Sequence, residues 1–207
     1  MKTTLSPKRL VVAISGASGM IYAAYLLKHI PQDYQIHLIV SREAGKILQY
    51  ELNWNFPDET FPEFAQKYFG ETQALAEIIP HAAENHFAPV ASGSFRTNAM
   101  VVIPCSMKTL SGIANGYAHT LIERTADVHL KERRQLVLVV RETPYNQIHL
   151  QNMLQATQAG AIVLPASPGF YHRPQTVEDL VRFVVGKTMM TLGISHDLFP
   201  GWREEAK

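Results

Sequence analysis

The sequence contains a single cysteine, Cys105, among 207 residues. One cysteine cannot form an intramolecular disulfide or a cysteine-rich metal site, so we interpret Cys105 as a small buried side chain. The nine histidines show neither HxxxH nor HxH spacing. No DDxxD-like carboxylate cluster is present to hold magnesium. These absences predict a protein without a metal site.

The sequence also lacks an excess of either charge, since 19 Lys and Arg residues face 18 Asp and Glu residues. A balanced charge gives no overall positive field for a nucleic acid or an anionic membrane, so neither partner is expected. The longest apolar runs, such as "AMVVIP" and "QLVLVV", fall far short of the roughly 20 residues that cross a bilayer. The N-terminal stretch "MKTTLSPKRL" lacks the apolar segment of a secretory signal, and we predict a cytoplasmic location.

Two alternating patterns organise the chain, whose 46% hydrophobic content suffices for one core, and we predict one domain over 1–207. Apolar, β-branched runs that predict strands occupy 9–15, 35–40, 99–104, 135–140 and 161–165. Segments of helical periodicity occupy 20–30, 43–52, 107–116, 121–134, 146–160 and 177–194. The alternation predicts a doubly wound α/β fold, in which a mostly parallel sheet has helices on both faces. The proline-containing stretch 53–98 is less regular and predicts an excursion over the sheet edge.

Small and hydroxyl residues follow several predicted strands, at the sheet edge where ligands of such folds gather. In "SGASG", Gly16 and Gly19 allow a tight turn, while Ser18 could cap a helix or donate to a phosphate oxygen. Ser41 and the turn at 106–109 allow the same two interpretations. Their coincidence at one edge favours an anionic, phosphate-bearing ligand.

Two cations are placed on the apolar side of the helix predicted at 121–134. Arg124 and Lys131 are seven residues apart and share a stripe with Leu121 and Val128. Either their stems extend to the rim of the apolar face, or both cations point at a second phosphate. Lys187 falls with Leu180 and Val184 on one face of the last helix, which is unfavourable for an ammonium group that does not reach an anion.

Two further segments also allow a structural and a functional interpretation. Arg141 and Glu142 leave the fourth predicted strand together, either as a surface ion pair or with the carboxylate as a general acid or base. Tyr171 lies on a loop bounded by proline and glycine, so its ring either covers a ligand or fills the core.

Several blocks together resemble the UbiX/Pad family of flavin prenyltransferases: "SGASG", "ASGSF", "PCSMKTLSGIANG", "LIERTADVHLKERRQLVLVVRETP", "LPASPGFYHRPQ" and "DLFPGW". They are spread from residue 15 to residue 202. The resemblance implies a flavodoxin-like, Rossmann-like subunit in a homododecamer that binds FMN near a subunit interface. It also implies metal-independent transfer of a dimethylallyl group from dimethylallyl monophosphate to N5 and C6 of reduced FMN. The product, prenylated FMN, would serve UbiD-type decarboxylases, including the one in ubiquinone biosynthesis.

The resemblance also implies roles for individual residues. The residues expected to bind FMN are Gly16, Ala17, Ser18, Ser41, Ser106, Met107, Lys108, Thr109 and Arg141. The prenyl phosphate would be held by Lys131, Tyr171 and Lys187, with Arg124 and Glu142 close by and the cations stabilising the departing phosphate. Glu142, or the released phosphate, would take the proton from flavin C6; Glu51 matches a family carboxylate near the flavin, and Trp202 an aromatic lid. Position 187 is commonly Arg in the family. Lys187 would therefore contact the phosphate as a single point charge, where an arginine would donate two parallel hydrogen bonds.

Two other functions remain open at this stage. An FMN-dependent decarboxylase of the cysteine-decarboxylase type would carry a segment like "PxMNxxMW", where this sequence has "RETPYNQIHLQNM". A non-catalytic FMN carrier would keep the phosphate loop but would have no use for Lys131, Glu142 and Tyr171.

Overall fold

The computed structural model describes residues 8–70 and 74–200. The prediction that residues 1–207 form one domain therefore stays a prediction. The strands are β1 (Lys8–Ile14), β2 (Tyr34–Val40), β3 (Glu77–Ala82), β4 (Ala99–Cys105), β5 (Gln135–Val140) and β6 (Ile162–Pro165). The helices are α1 (Met20–His29), α2 (Arg42–Leu52), α3 (Phe61–Phe69), α4 (Met107–Ala114), α5 (Leu121–Lys131), α6 (Gln147–Gln158) and α7 (Val177–Thr191).

The six strands form one sheet in the order β3-β2-β1-β4-β5-β6. Every described strand pair is parallel, and β1 pairs with β2 from Lys8 opposite Tyr34 to Ile14 opposite Val40. This is the strand order of Rossmann-type doubly wound sheets, so the predicted fold class is confirmed. The order reverses between β1 and β4, which creates a crevice at their carboxyl ends.

Helices cover both faces of the sheet, and alternate residues of the central strands point to different cores. Leu10, Val12 and Ile14 pack on one side with apolar residues of α1, α2, α3 and α7. Val11 and Ala13 pack on the other side with α4, α5 and α6. Because both faces are buried, strands such as β4 are apolar without interruption, as their sequences predicted.

The stretch 53–98 contains two elements that the sequence interpretation missed, α3 and β3. Pro80 lies inside β3, opposite Leu38 of β2. Proline lacks the N–H that a central strand must donate, but β3 is an edge strand with a neighbour on one side only. Helix α3 is short and begins with a capping box between Thr60 and Glu63. The prolines in this stretch thus mark an edge strand and a helix start as well as turns.

Two of the predicted helices end three residues earlier than expected. Helix α5 ends at Lys131 and α7 at Thr191, whereas periodicity had extended them to residues 134 and 194. Arg133 has φ 55° and Gly193 has φ 71°. These left-handed conformations cannot continue a right-handed helix.

Candidate active site

The carboxyl ends of β1 and β4 are joined through Ser15, a fully buried residue. Its hydroxyl donates to the carbonyl of Pro104 at 3.0 Å and accepts from the amide of Ser106 at 2.8 Å. The Ser15 amide also donates to the Pro104 carbonyl, at 3.2 Å. One side chain therefore holds the loop after β1 against the loop after β4, where the strand order reverses. Although Ser15 begins the "SGASG" block, the sequence analysis did not predict this role.

The loop that follows Ser15 approaches its neighbours closely. A Cβ on Gly16 would lie 3.0 Å from the Cβ of Glu43 in α2, so a larger residue would push α2 away. Ala17 is buried, and Ser18 is exposed. Among the described residues, the amides of Gly16 and Ser18 have no hydrogen-bond acceptor. Two free donors thus lie at the end of β1.

Helix α1 begins at Met20, and its N-cap is Gly19 with φ 99° and no side-chain cap. Ser18 is therefore not the N-cap that the sequence suggested as one alternative. A carboxylate from α2 replaces the missing cap, because Glu51 accepts from the amides of Gly19 at 3.0 Å and Met20 at 2.9 Å. Negative charge at a helix N-terminus is favourable. Glu51 is thus held beside the loop after β1, although it lies near the end of a different helix.

Ser41 and Ser106 are both helix N-caps, as one of the two sequence interpretations held. The Ser41 hydroxyl accepts from the amide of Ala44 at 3.1 Å. The Ser106 hydroxyl accepts from the amide of Thr109 at 3.3 Å and donates to the Thr109 hydroxyl at 3.1 Å. Capping satisfies only part of the first turn of α4. Within the described chain, the Met107 and Lys108 amides lack an acceptor.

Arg141 links the end of β5 to the same crevice. Its amide donates to the carbonyl of Cys105 at 3.2 Å, and its Nε donates to the carbonyl of Ser18 at 3.1 Å. Glu142 accepts from the amide of Thr143 at 3.0 Å. Among the described ion pairs none joins Arg141 to Glu142, so the surface-pair alternative is wrong.

Tyr22 is a second residue of this region that the sequence analysis missed. A Cβ on Gly19 would lie 3.0 Å from the Tyr22 ring and 4.0 Å from the Cγ of Arg141. Burial raises the pKa of the Tyr22 phenol, and the positive charge of Arg141 opposes part of that rise. Tyr22 therefore packs against the first turn of α1 beside the guanidinium. Its place in a helical pattern suggested only core packing, so no sequence signal pointed to the site.

The predicted cations of α5 lie at the border of its buried face. Arg124 is half-buried; its Nε donates to the carbonyl of Ala91 at 3.2 Å, and it pairs with Asp127 at 2.9 Å. Lys131 is exposed and pairs with Glu132. The hydrogen bond and charge of Lys131 hold the pKa of the Glu132 carboxyl below its ordinary value. Both side chains are thus partly or fully open to solvent, beside the buried residues of α5.

Tyr171 and Lys187 lie near a cluster of aromatic rings beside α7. The Tyr171 ring meets Phe183 edge-on at 5.6 Å between centroids, and His172 stacks on Phe183 at 5.2 Å. Lys187 follows Phe183 by one helical turn. Lys187 is exposed, although it shares one face of α7 with Leu180 and Val184, so its ammonium group is open to solvent in a single chain. Trp202 lies outside the described residues.

One chain does not bring all the predicted residues together. Helices α5 and α7 contribute to cores on opposite faces of the sheet. Lys131 also ends α5 just before β5 begins, which places it at the amino edge, away from the strand-end loops. The loops after β1, β4 and β5 thus form one group, while Arg124 with Lys131 and Tyr171 with Lys187 form two others.

A cavity of about 810 Å³ opens beside this group, next to the carboxyl ends of β2 and β3. Of the predicted residues, Ser41 is the one among its described lining residues. The remaining strand-end residues border an open crevice.

The described residues also bear on metal ions and membranes. No group of three or more His, Cys, Asp or Glu side chains in 8–70 and 74–200 is arranged to hold a metal ion. Over the same residues, no helix has the length and apolar character needed to span a membrane.

Comparison with known proteins identifies the class. Residues 1–189 match the family model described as Flavoprotein. Together with the doubly wound fold and its loops at the switch point, this match shows that the chain is a member of the flavoprotein class.

The relatives are more specific. The chain is 46% identical over 202 residues to the flavin prenyltransferase UbiX of Pseudomonas aeruginosa, covering 96% of both chains. It is 45% identical over 198 residues to the UbiX of Alkalihalophilus pseudofirmus, covering 95% of this chain and 97% of that one. The chain therefore belongs to the flavin prenyltransferase UbiX family.

Solved structures agree with this assignment. AnUbiX in complex with FMN and dimethylallyl pyrophosphate matches with a TM-score of 0.85 and 38% identity, over 97% of this chain and 100% of that one. A dodecameric FMN-dependent UbiX-like decarboxylase from Escherichia coli O157:H7 matches with a TM-score of 0.83 and 38% identity, over 95% and 100%. The cysteine decarboxylase TvaF matches at 12% identity with a TM-score of 0.55, over 91% and 99%, a likeness of fold alone.

Proposed function

We propose that this protein transfers a dimethylallyl group from dimethylallyl monophosphate to N5 and C6 of reduced FMN. The prenylated FMN would then serve a UbiD-type decarboxylase, in ubiquinone biosynthesis or aromatic acid decarboxylation. The observation that carries the proposal is the crevice between β1 and β4, where unpartnered amides and a guanidinium converge in a chain of the flavin prenyltransferase family.

The crevice fits the phosphate of FMN. The amides of Gly16, Ser18, Met107 and Lys108 are available donors at the ends of two adjacent parallel strands. The last two belong to the first turn of α4, whose N-terminus favours an anion. Arg141 adds a fixed positive charge through its bond to Ser18. The small side chains of the loop after β1 allow a ligand to approach the backbone.

Bound FMN, when reduced, supplies the nucleophilic N5 and C6 positions that accept the prenyl group. The chain supplies two carboxylates near the crevice. Glu51 is anchored by two backbone amides, so its oxygens are held in place beside the loop after β1. Glu142 is held by the amide of Thr143. Either carboxylate could accept a proton from the flavin, and we assign the C6 proton to Glu142 and assistance at N5 to Glu51.

The prenyl phosphate requires residues from more than one copy of the chain. Arg124 and Lys131 belong to one face of the sheet, and Tyr171 and Lys187 to the other. We propose that neighbouring copies bring these groups to the open side of the crevice, in a homododecamer like that of the E. coli O157:H7 relative. Preorganised cations stabilise the departing phosphate, a role that magnesium fills in other prenyl transfers.

The test is to incubate the protein with reduced FMN and dimethylallyl monophosphate without oxygen and to weigh the extracted flavin. We expect a mass increase of one dimethylallyl unit. Unmodified flavin extracted from folded, FMN-binding protein would contradict the proposal and favour a carrier.

The predicted cytoplasmic location stays a prediction.

Lys131→Ala tests the phosphate role. We expect turnover to fall by about a hundredfold or more, the usual cost of removing one transition-state charge contact, while FMN affinity is retained. Lys28→Ala is the matched control, because Lys28 lies over the Phe69 ring at 4.5 Å, on a different helix. Equal turnover in the two variants would remove Lys131 from the mechanism.

A further inference from the structure

A second cavity lies at the amino edge of the sheet, away from the proposed flavin crevice. It has a volume of about 730 Å³. Its described lining comes from the start of β1, the segment leading into β4 and the turn between α5 and β5: Lys8, Arg9, Ser94, Phe95, Arg96, Thr97, Asn98, Glu132 and Arg134. The lining is mostly polar and includes four cations but one carboxylate.

The charges of this cavity do not balance. Lys8 is paired with Asp33 at 2.8 Å, and Glu132 is paired with Lys131 outside the lining. Across the described residues, Arg9, Arg96 and Arg134 have no carboxylate within ion-pair distance. Three guanidinium groups therefore face one space in which Glu132, already paired with Lys131, is the one carboxylate of the described lining.

Two of the guanidinium groups are already fixed in position. Arg134 donates to the carbonyls of Gly93 and Phe95. Arg9 donates to Gln35 at 3.2 Å and to the carbonyl of Arg96 at 3.4 Å, and its guanidinium lies over the Phe95 ring at 4.5 Å. Each uses two of its five or so N–H donors. The others remain available, and little side-chain entropy is left to lose when a ligand binds.

The positive field also acts on two buried histidines near the cavity. Burial lowers the pKa of His129 to about 4, and the positive charge of Arg134 also lowers it. Burial likewise lowers the pKa of His37 to about 4, with contributions from His81 and Arg9, while Glu77 opposes them. His129 bonds to Thr97, which lines the cavity, through Nε2 and Oγ1 at 2.9 Å. The charges of Arg9 and Arg134 thus act on side chains at the cavity, with Glu77 opposing in part at His37.

We propose that this cavity binds a compact phosphate-class anion through Arg9, Arg96 and Arg134. A guanidinium group can donate two parallel hydrogen bonds to phosphate oxygens, and Ser94 and Asn98 add neutral polar groups to the lining. A mostly polar lining suits inorganic phosphate better than a prenyl chain or a flavin ring. The site does not depend on the proposed prenyl transfer, although free phosphate is a product of that reaction.

Arg96 provides the cleanest test, because it is exposed and its side chain has no hydrogen-bond acceptor among the described residues. Arg96→Gln should therefore fold normally. We would titrate the full protein, saturated with oxidised FMN so that the proposed flavin crevice is occupied, with inorganic phosphate at low ionic strength in a calorimeter. We expect Arg96→Gln to bind about tenfold more weakly or worse, the usual effect of losing a charge-assisted hydrogen bond. Arg96→Lys should lose less.

Arg182→Gln is the charge-matched control, since Arg182 lies on α7 beside Glu178; it should bind phosphate as the unmodified protein does. A parallel titration with dimethylallyl monophosphate distinguishes the source of the phosphate group. If Arg96→Gln weakens the binding of inorganic phosphate alone, the cavity is a site for the free anion. If it weakens the binding of both ligands equally, the cavity also takes the phosphate group of the ester. Phosphate binding that is unchanged in Arg96→Gln would overturn the proposal, whatever the outcome of the prenylation assay.

Discussion

Replacing Ser15 with alanine should uncouple the two loops that form the crevice. The hydroxyl makes two hydrogen bonds, to the Pro104 carbonyl and from the Ser106 amide. The Pro104 carbonyl keeps the Ser15 amide as a donor. The Ser106 amide loses its partner at a buried position, and an orphaned buried donor costs about 1–3 kcal/mol. For a chain of this size, that loss corresponds to a fall in Tm of about 2–12 °C.

The assay is urea unfolding followed by circular dichroism at a fixed protomer concentration, because assembly makes stability concentration-dependent. Ser18→Ala is the matched control, since the Ser18 hydroxyl has no partner among the described residues. Ser18→Ala should change stability by less than about 0.5 kcal/mol. Both variants should weaken FMN binding, measured by flavin fluorescence. Coincident unfolding curves for the two variants would refute the bridging role of Ser15.

Two further predictions concern the KM for dimethylallyl monophosphate and the pH dependence of stability. Lys187→Arg should lower the KM for dimethylallyl monophosphate by about two- to fivefold with little change in kcat, because a guanidinium group can bind phosphate through two hydrogen bonds. An unchanged KM would argue against a phosphate contact at this position. The pKa values of His37 and His129 are lowered to about 4 chiefly by burial. Their contribution to stability is therefore complete above the unfolded pKa of about 6.5 and is lost as pH falls towards 4. The urea unfolding midpoint should depend less on pH in His129→Gln than in the unmodified protein. His86→Gln, a control at an exposed position, should keep the full pH dependence. A midpoint of the unmodified protein that does not change between pH 7 and pH 5 would contradict the assignment.

Some expectations from sequence failed for identifiable physical reasons. Pro80 concealed β3, because the sequence does not reveal that a strand will lie at an edge, where a missing N–H has no cost. Ser18 looked like a helix cap, but Glu51 supplies the capping oxygens from a distant part of the chain. Each of these errors depends on what packs nearby.

Local patterns were sufficient for much of the fold. Continuous apolar runs and helical periodicity placed five of the six strands and six of the seven helices of the described chain. Since parallel strands end at a common edge, the same patterns located the loops that carry Gly16, Ser106 and Arg141 on one side of the sheet. Residue composition and spacing along the chain carry this information directly.

The sequence by itself thus determined the fold class, the edge at which the proposed flavin crevice lies and the family to which the chain's motifs correspond. Only the tertiary structure decided that Ser15 joins β1 to β4, that α5 and α7 lie on opposite faces and that three arginines surround a cavity at the amino edge. The physical reason is that periodicity is a property of neighbours along the chain. Strand order and the meeting of distant side chains arise instead from how the sheet is covered.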